Sequence, residues 1–93
     1  MTAAQGRTTI DFGAGATNVT AEITGQAAIA ATAEVDAWLI AEATADHSVD
    51  EHVIEGPTVL AGAVTPGVGF TIHAAAKDGR AYGQWSVAWV WSN

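Results

Sequence analysis

Between Val68 and Trp91, large apolar residues recur at every second position on both sides of a polar break, Lys77-Asp78-Gly79-Arg80. Asp-Gly between two strand-like runs is a strong signal for a two-residue hairpin turn, because both central positions take positive φ and glycine does so without steric cost. Folding the chain there sets Lys77 against Arg80 and pairs Ile72 with Trp85, Phe70 with Val87 and Val68 with Trp89. His73 with Gln84 and Thr71 with Ser86 then share the opposite face. The period-2 alternation and the turn register agree on the buried side.

The rest of the chain carries the same rhythm with more breaks. Met1 to Arg7 is small and polar and reads as a flexible arm (1-7), leaving residues 8-93 as a single β domain. Thr8 to Phe12 alternates as a strand, and Gly13-Ala14-Gly15-Ala16 ends it. Asn18 to Thr24 is a second strand, with Val19, Ala21 and Ile23 on one face and Thr20 and Glu22 on the other. A two-residue loop at Gly25-Gln26 would set Ile29 opposite Glu22, so a longer connection or a crossing to another sheet is expected.

Ala27 to Ala45 supports two readings. Its Ala, Glu and Leu content favours helix, while Val35, Ala37, Leu39 and Ala41 alternate with Glu34, Asp36 and Glu42. Strand is preferred; Trp38 and Ile40 on the polar face would then mark a strand covered on both sides. Thr44 to Gly56 holds Asp46, His47, Asp50, Glu51, His52 and Glu55 and is expected to be a solvated loop. Pro57 closes it, Thr58 to Thr65 follows as a strand, and Pro66-Gly67 is a turn. Without any βαβ rhythm, the pattern predicts an all-β fold, a small antiparallel β-sandwich or barrel of six to seven strands with a C-terminal β-hairpin.

Composition narrows the partners. Hydrophobic residues make up 49% of the 93 positions, but many are alanine and aromatics are only 8%. The core is thin for one domain, so a partner surface would supply part of the stability. The formal charge is -7, and Arg7, Lys77 and Arg80 are the only lysines and arginines, which argues against nucleic acid. No cysteine is present, so neither disulfides nor thiolate metal sites arise. The N-terminal residues lack an apolar signal region, and no run reaches bilayer length; a soluble chain made in the cytoplasm and free of membrane is expected.

Potential ligands cluster once, in Asp46-His47-Ser48-Val49-Asp50-Glu51-His52. Imidazole and carboxylate suit a divalent ion, so Asp46, His47, Glu51 and His52 are the metal candidates. Their spacing matches no zinc signature, and H-E-x-x-H is absent. The favoured reading is that the acids solvate the loop while the histidines make loop hydrogen bonds or touch a neighbouring subunit. His73 reads as a surface residue. No serine or threonine sits in a nucleophile motif, and the Gly13 and Gly67 runs are turns rather than nucleotide loops. Paired carboxylates such as Glu34 with Asp36 lack a groove, so no enzyme activity and no cofactor are expected. Trp85, Trp89 and Trp91 read first as a core stripe, with an exposed sugar-stacking row or a subunit interface as alternatives. Trp91 is the preferred interface member.

Taken in order, Asp46-His47 with Glu51-His52, Gly67-Val68-Gly69-Phe70-Thr71-Ile72, and Gly83-Gln84-Trp85-Ser86-Val87-Ala88-Trp89-Val90-Trp91 resemble a set of short virion structural proteins of tailed bacteriophages. The shared pattern is D-H…E-H, G-x-G-F-T-I and G-x-W-x-V-x-W-V-W, covering roughly Ala37 to the end. The resemblance implies a small, β-rich, non-enzymatic component of the virion, made in the host cytoplasm and present in many copies. A capsid decoration or cement protein that binds the major capsid protein is the first expectation. A tail, collar or fibre component contacting a host receptor or glycan is the second. On the cement reading the interface residues are Arg7, Ile10, Phe12 and Trp91, the arm making much of the contact.

Overall fold

The computed structural model describes residues 2–93. Six strands and one helix follow in order: β1 (Ala3–Asp11), β2 (Asn18–Ile23), β3 (Glu34–Leu39), α1 (Val49–Glu55), β4 (Thr58–Thr65), β5 (Gly69–Ala75) and β6 (Gln84–Ser92). The strands make two three-stranded antiparallel sheets, β1-β6-β3 and β2-β5-β4. The chain is an all-β protein whose two sheets share one core, as the alternation predicts.

β6 is the middle strand of its sheet, and its period-2 pattern sends Trp85, Val87, Trp89 and Trp91 inward. Ile10 and Ala37 join them from the flanking strands, and Ile23, Phe70, Ile72 and Ala74 close the core from the other sheet. Phe70 meets Trp89 edge-on, with centroids 5.6 Å apart and planes at 72°, a geometry that the ring quadrupoles favour. Gly6 lies opposite Trp89 in the ladder. A Cβ there would sit 2.4 Å from Trp89 Cζ2, so the missing side chain is the space the indole occupies.

The reversal between β5 and β6 falls at Lys77–Arg80, but the expected ladder register does not form. β5 bonds β2 and β4, whereas β6 bonds β1 and β3. Phe70, Ile72, Trp85 and Val87 are buried on the predicted faces, yet they belong to opposite sheets instead of pairing side by side. Val68 is exposed, in the turn ahead of β5. The connection is an arch, and it packs against a second arch between β1 and β2. Phe12 N–H donates to Gly83 O, Gly83 N–H to Gly13 O, and Ala16 and Ala81 exchange both bonds, all at 2.9–3.0 Å. Backbone groups near the Lys77–Arg80 turn thus bond the 12–17 segment, because the partners of a simple hairpin are already taken. The hairpin that does form joins β4 to β5, where Val68 N–H bonds Thr65 O at 3.0 Å around Pro66 and Gly67; Gly67 takes φ 75°, as such turns demand.

Residues 3–7 are not a free arm. They are half of β1, paired from Ala3 with Ser92 to Arg7 with Ala88. Pairing with a strand that already holds a full apolar face overrides the weak strand preference of Ala, Gln and Gly. Met1 lies outside the described residues. The ambiguous 27–45 segment forms strand β3, with Val35, Ala37 and Leu39 turned inward, while Trp38 remains 46% exposed instead of covered. In β4, Ala63 takes φ 54° at a bulge between Gly62 and Thr65, which moves the inward role from Ala61 to Val64. The charged 44–56 stretch is not a solvated loop. Ser48 and Glu51 form a reciprocal capping box, and α1 follows.

Candidate functional site

The Asp46 to His52 cluster folds over the start of β6. Thr44 Oγ1 accepts from His47 N–H at 3.1 Å and itself donates to Gln84 O at 2.7 Å. Asp46 Oδ2 accepts from Gln84 N–H at 2.7 Å. Gly83, at φ 69°, passes so close to Asp46 that a Cβ would lie 2.7 Å from its side chain. These bonds carry the helix and both histidines onto the strand.

His47 and His52 are each only 3% exposed. His52 Nδ1–H donates to Ser48 O at 2.8 Å, and its Nε2 accepts from Ser86 N–H at 3.0 Å. That pattern defines a neutral ring with its proton on Nδ1. His47 faces acceptors on both sides: Glu51 Oε2 at 2.8 Å from Nδ1 and Tyr82 O at 2.5 Å from Nε2. A ring protonated on both nitrogens satisfies both acceptors, so the site favours the imidazolium form. Burial of the ring opposes that charge, but the Glu51 hydrogen bond, the Tyr82 carbonyl and the nearby Glu51 and Asp46 charges outweigh it and raise the pKa above 6.5. The Glu51 carboxyl is lowered from 4.5, chiefly by its bond to His47.

The four metal candidates therefore come together, but as a clasp. Asp46 is turned to Gln84, Glu51 to His47 and the helix cap, and all four imidazole nitrogens bond protein groups. A metal would have to displace bonds that hold α1 in place. Among the described residues no buried side-chain nitrogen or oxygen lacks a partner. The capping signature Ser48-x-x-Glu51 was legible in the sequence; burial of the two rings was not.

Of the four expected interface residues, Ile10, Phe12 and Trp91 are in the core of the chain. Trp91 also donates through Nε1 to Gln26 Oε1 at 2.9 Å. Ile10 and Trp91 are inward strand positions that the far sheet covers, and Phe12 is buried just past the end of β1, so the three present no surface to a partner. Arg7 is exposed on the outer face of the β1-β6-β3 sheet, paired with Glu42. Ala88 lies between Arg7 and Trp38 in the ladder, and Gln5, Ile40 and Ala88 join them around a shallow groove of about 360 Å³. Trp38, unremarked as an interface residue, and Arg7 are the residue types that most often carry binding energy in protein interfaces.

A second concavity of about 370 Å³ lies between the end of α1 and the β5–β6 arch. Its walls include Trp85 and the exposed Ile54 and Tyr82, and Lys77, Asp78, Arg80 and Glu55 stand around it. Lys77 Nζ donates to Ile54 O at 3.2 Å, linking the arch to the helix end.

No protein-family model, curated protein or solved structure matches this chain.

Proposed function

We propose that the chain is a non-enzymatic structural protein of a bacteriophage virion, a capsid decoration protein that binds the major capsid protein in many copies. The observation that supports this reading is how the residues whose motifs resemble those of short phage virion proteins are used. Phe70, Ile72, Trp85, Val87, Trp89 and Trp91 build the core, while Asp46, His47, Glu51 and His52 fasten α1 to β6. Such motifs specify a scaffold, and the work is left to its surfaces.

The outer face of β1-β6-β3 is the docking surface on this reading. Trp38 stands 46% exposed as the large aromatic of that face, with Arg7 across Ala88. Burying that indole on a capsid subunit removes apolar area from water and adds stability that the thin core lacks. Cryo-electron microscopy of the particle carrying this chain is the test. Density for the chain in a lattice over capsid subunits, with Trp38 at the contact, is expected; density confined to the tail, or none, overturns the decoration role. Trp38→Ala is expected to lower occupancy on the capsid while changing the chain's own stability by about 0.5 kcal/mol or less.

The second reading, a tail, collar or fibre component that touches a host glycan, draws on the same exposed indole beside Gln5 and Arg7. Glycan quenching of tryptophan fluorescence that Trp38→Phe abolishes would favour it.

A further inference from the structure

We infer that the cleft between α1 and the β5–β6 arch is a binding site for one uncharged sugar ring. It goes beyond both functional readings, because such a site is compatible with either position on a particle and lies apart from the Trp38 face. Among the described residues the ion pairs are Arg7 with Glu42 and His47 with Glu51. Lys77, Arg80, Asp78 and Glu55 therefore stand around the cleft without ionic partners, two of each sign, while His47, which also lines it, is paired with Glu51. Two of the three lysines and arginines of a chain with charge -7 are gathered here.

That balance excludes ligand classes by desolvation. An anion would meet Asp78 and Glu55, a cation would meet Lys77 and Arg80, and a fully apolar ligand would strip water from all four. An uncharged ring bearing several hydroxyls meets no like charge and replaces the water it displaces with hydrogen bonds of its own. Its hydroxyls donate to the carboxylates and accept from the guanidinium and ammonium, and Lys77 uses only one of its three N–H groups on Ile54 O. Its C–H face packs on apolar wall, which Tyr82 at 56% and Ile54 at 68% exposure supply.

The cleft is also prebuilt. The Tyr82 carbonyl accepts from both His47 Nε2 and Trp85 Nε1, at 2.5 and 3.1 Å, and the Tyr82 ring leans on His47 with centroids 4.8 Å apart, so backbone and ring are both held while 56% of the residue stays exposed to a ligand. A volume of about 370 Å³ falls at the small end of ligand sites. A contact of one ring, open to solvent on one side, implies millimolar affinity.

The test is a titration of the full chain with the methyl glycosides of glucose, galactose, mannose and N-acetylglucosamine, followed by ¹H–¹⁵N NMR. Sodium acetate and tetramethylammonium chloride serve as charged controls. At least one glycoside is expected to shift the Trp85 indole N–H and the Ala81 and Tyr82 amides saturably. Tyr82→Ala and Arg80→Ala are each expected to weaken that binding by about tenfold or more, and Trp38→Ala to leave it unchanged. Both substituted side chains are exposed, so the spectrum of each variant reports whether the fold persists. The proposal is overturned if no glycoside shifts these signals, if the shifts survive in both folded variants, or if acetate or tetramethylammonium binds more tightly than every glycoside.

Discussion

His47 lies flat on Trp85, with ring centroids 3.7 Å apart and planes inclined by 18°. In its protonated form the ring makes a cation–π contact with the indole face, in a site largely closed to solvent. His52 meets the same indole near its edge at 4.9 Å. One tryptophan therefore serves as floor for both histidines, facing the core with one side and the clasp with the other. The contact joins α1, the β5–β6 arch and β6, and it makes the clasp sensitive to the charge on one ring.

The pH dependence follows in sign from the two shifts. The folded pKa of His47 is raised above 6.5, so its contribution is complete below 6.5 and is lost as pH rises through the folded value. Glu51 is lowered from 4.5, so its contribution is present above 4.5 and is lost as pH falls through its folded value. Urea unfolding across pH should show the clasp contributing most between 4.5 and 6.5, with stability falling on the alkaline side. Glu51→Gln should flatten that fall. A variant with the wild-type slope would show that the ion pair does not carry it.

Gly6→Ala should destabilise by about 1–3 kcal/mol, since a methyl group enters space held by Trp89 and the core must shift. Pairing it with Trp89→Leu should recover part of the loss that Gly6→Ala causes on its own. Additive effects in denaturant titrations of the double-mutant cycle would separate Gly6 from Trp89.

Two other glycines should behave unequally. At Gly69 a Cβ would lie 1.7 Å from Ile23 O, so Gly69→Ala must push β2 from β5 and should cost about 3 kcal/mol or more. Gly79, at φ 63°, has open space around it, and Gly79→Val should cost about 1–3 kcal/mol through backbone strain alone. Thermal melts that rank Gly79→Val as the worse substitution would contradict the arch geometry.

Removing Thr2 to Arg7 should weaken the fold itself. The deletion strips the pairings from Ala3 with Ser92 to Arg7 with Ala88 and opens one flank of Trp89 and Trp91. Amide exchange along β6 should rise and the melting transition should fall. Retention of both at full-length values would restore the view of residues 1–7 as a detachable arm.

Much of the architecture was legible before any coordinates. Alternation along Asn18–Ile23 and Gln84–Ser92 placed the inward side chains correctly, because a strand alternates its faces whatever it pairs with. The candidate site was legible only as a cluster of residue types. Asp46, His47, Glu51 and His52 are charged or polar by composition, and nothing local announces that Trp85 and the Tyr82 carbonyl will cover and bond them. Ser48-x-x-Glu51 is a capping signature that the solvated-loop reading passed over, and a seven-residue helix is in any case too short to stand without the strand beneath it.

The amino-acid sequence by itself determined the strand class, the inward faces, the turn positions at Pro66–Gly67 and Lys77–Arg80, and the acidic surface. All of these rest on properties of neighbouring residues: side-chain period, φ preference and charge. Only the tertiary structure decided which strand bonds which. The backbone N–H and C=O groups along β5 and β6 carry no label for a partner, so β6 bonds β1 and β3 because that arrangement closes one core between two sheets. The same closure pulled Ile10, Phe12 and Trp91 inward and left Trp38 and Tyr82 outside.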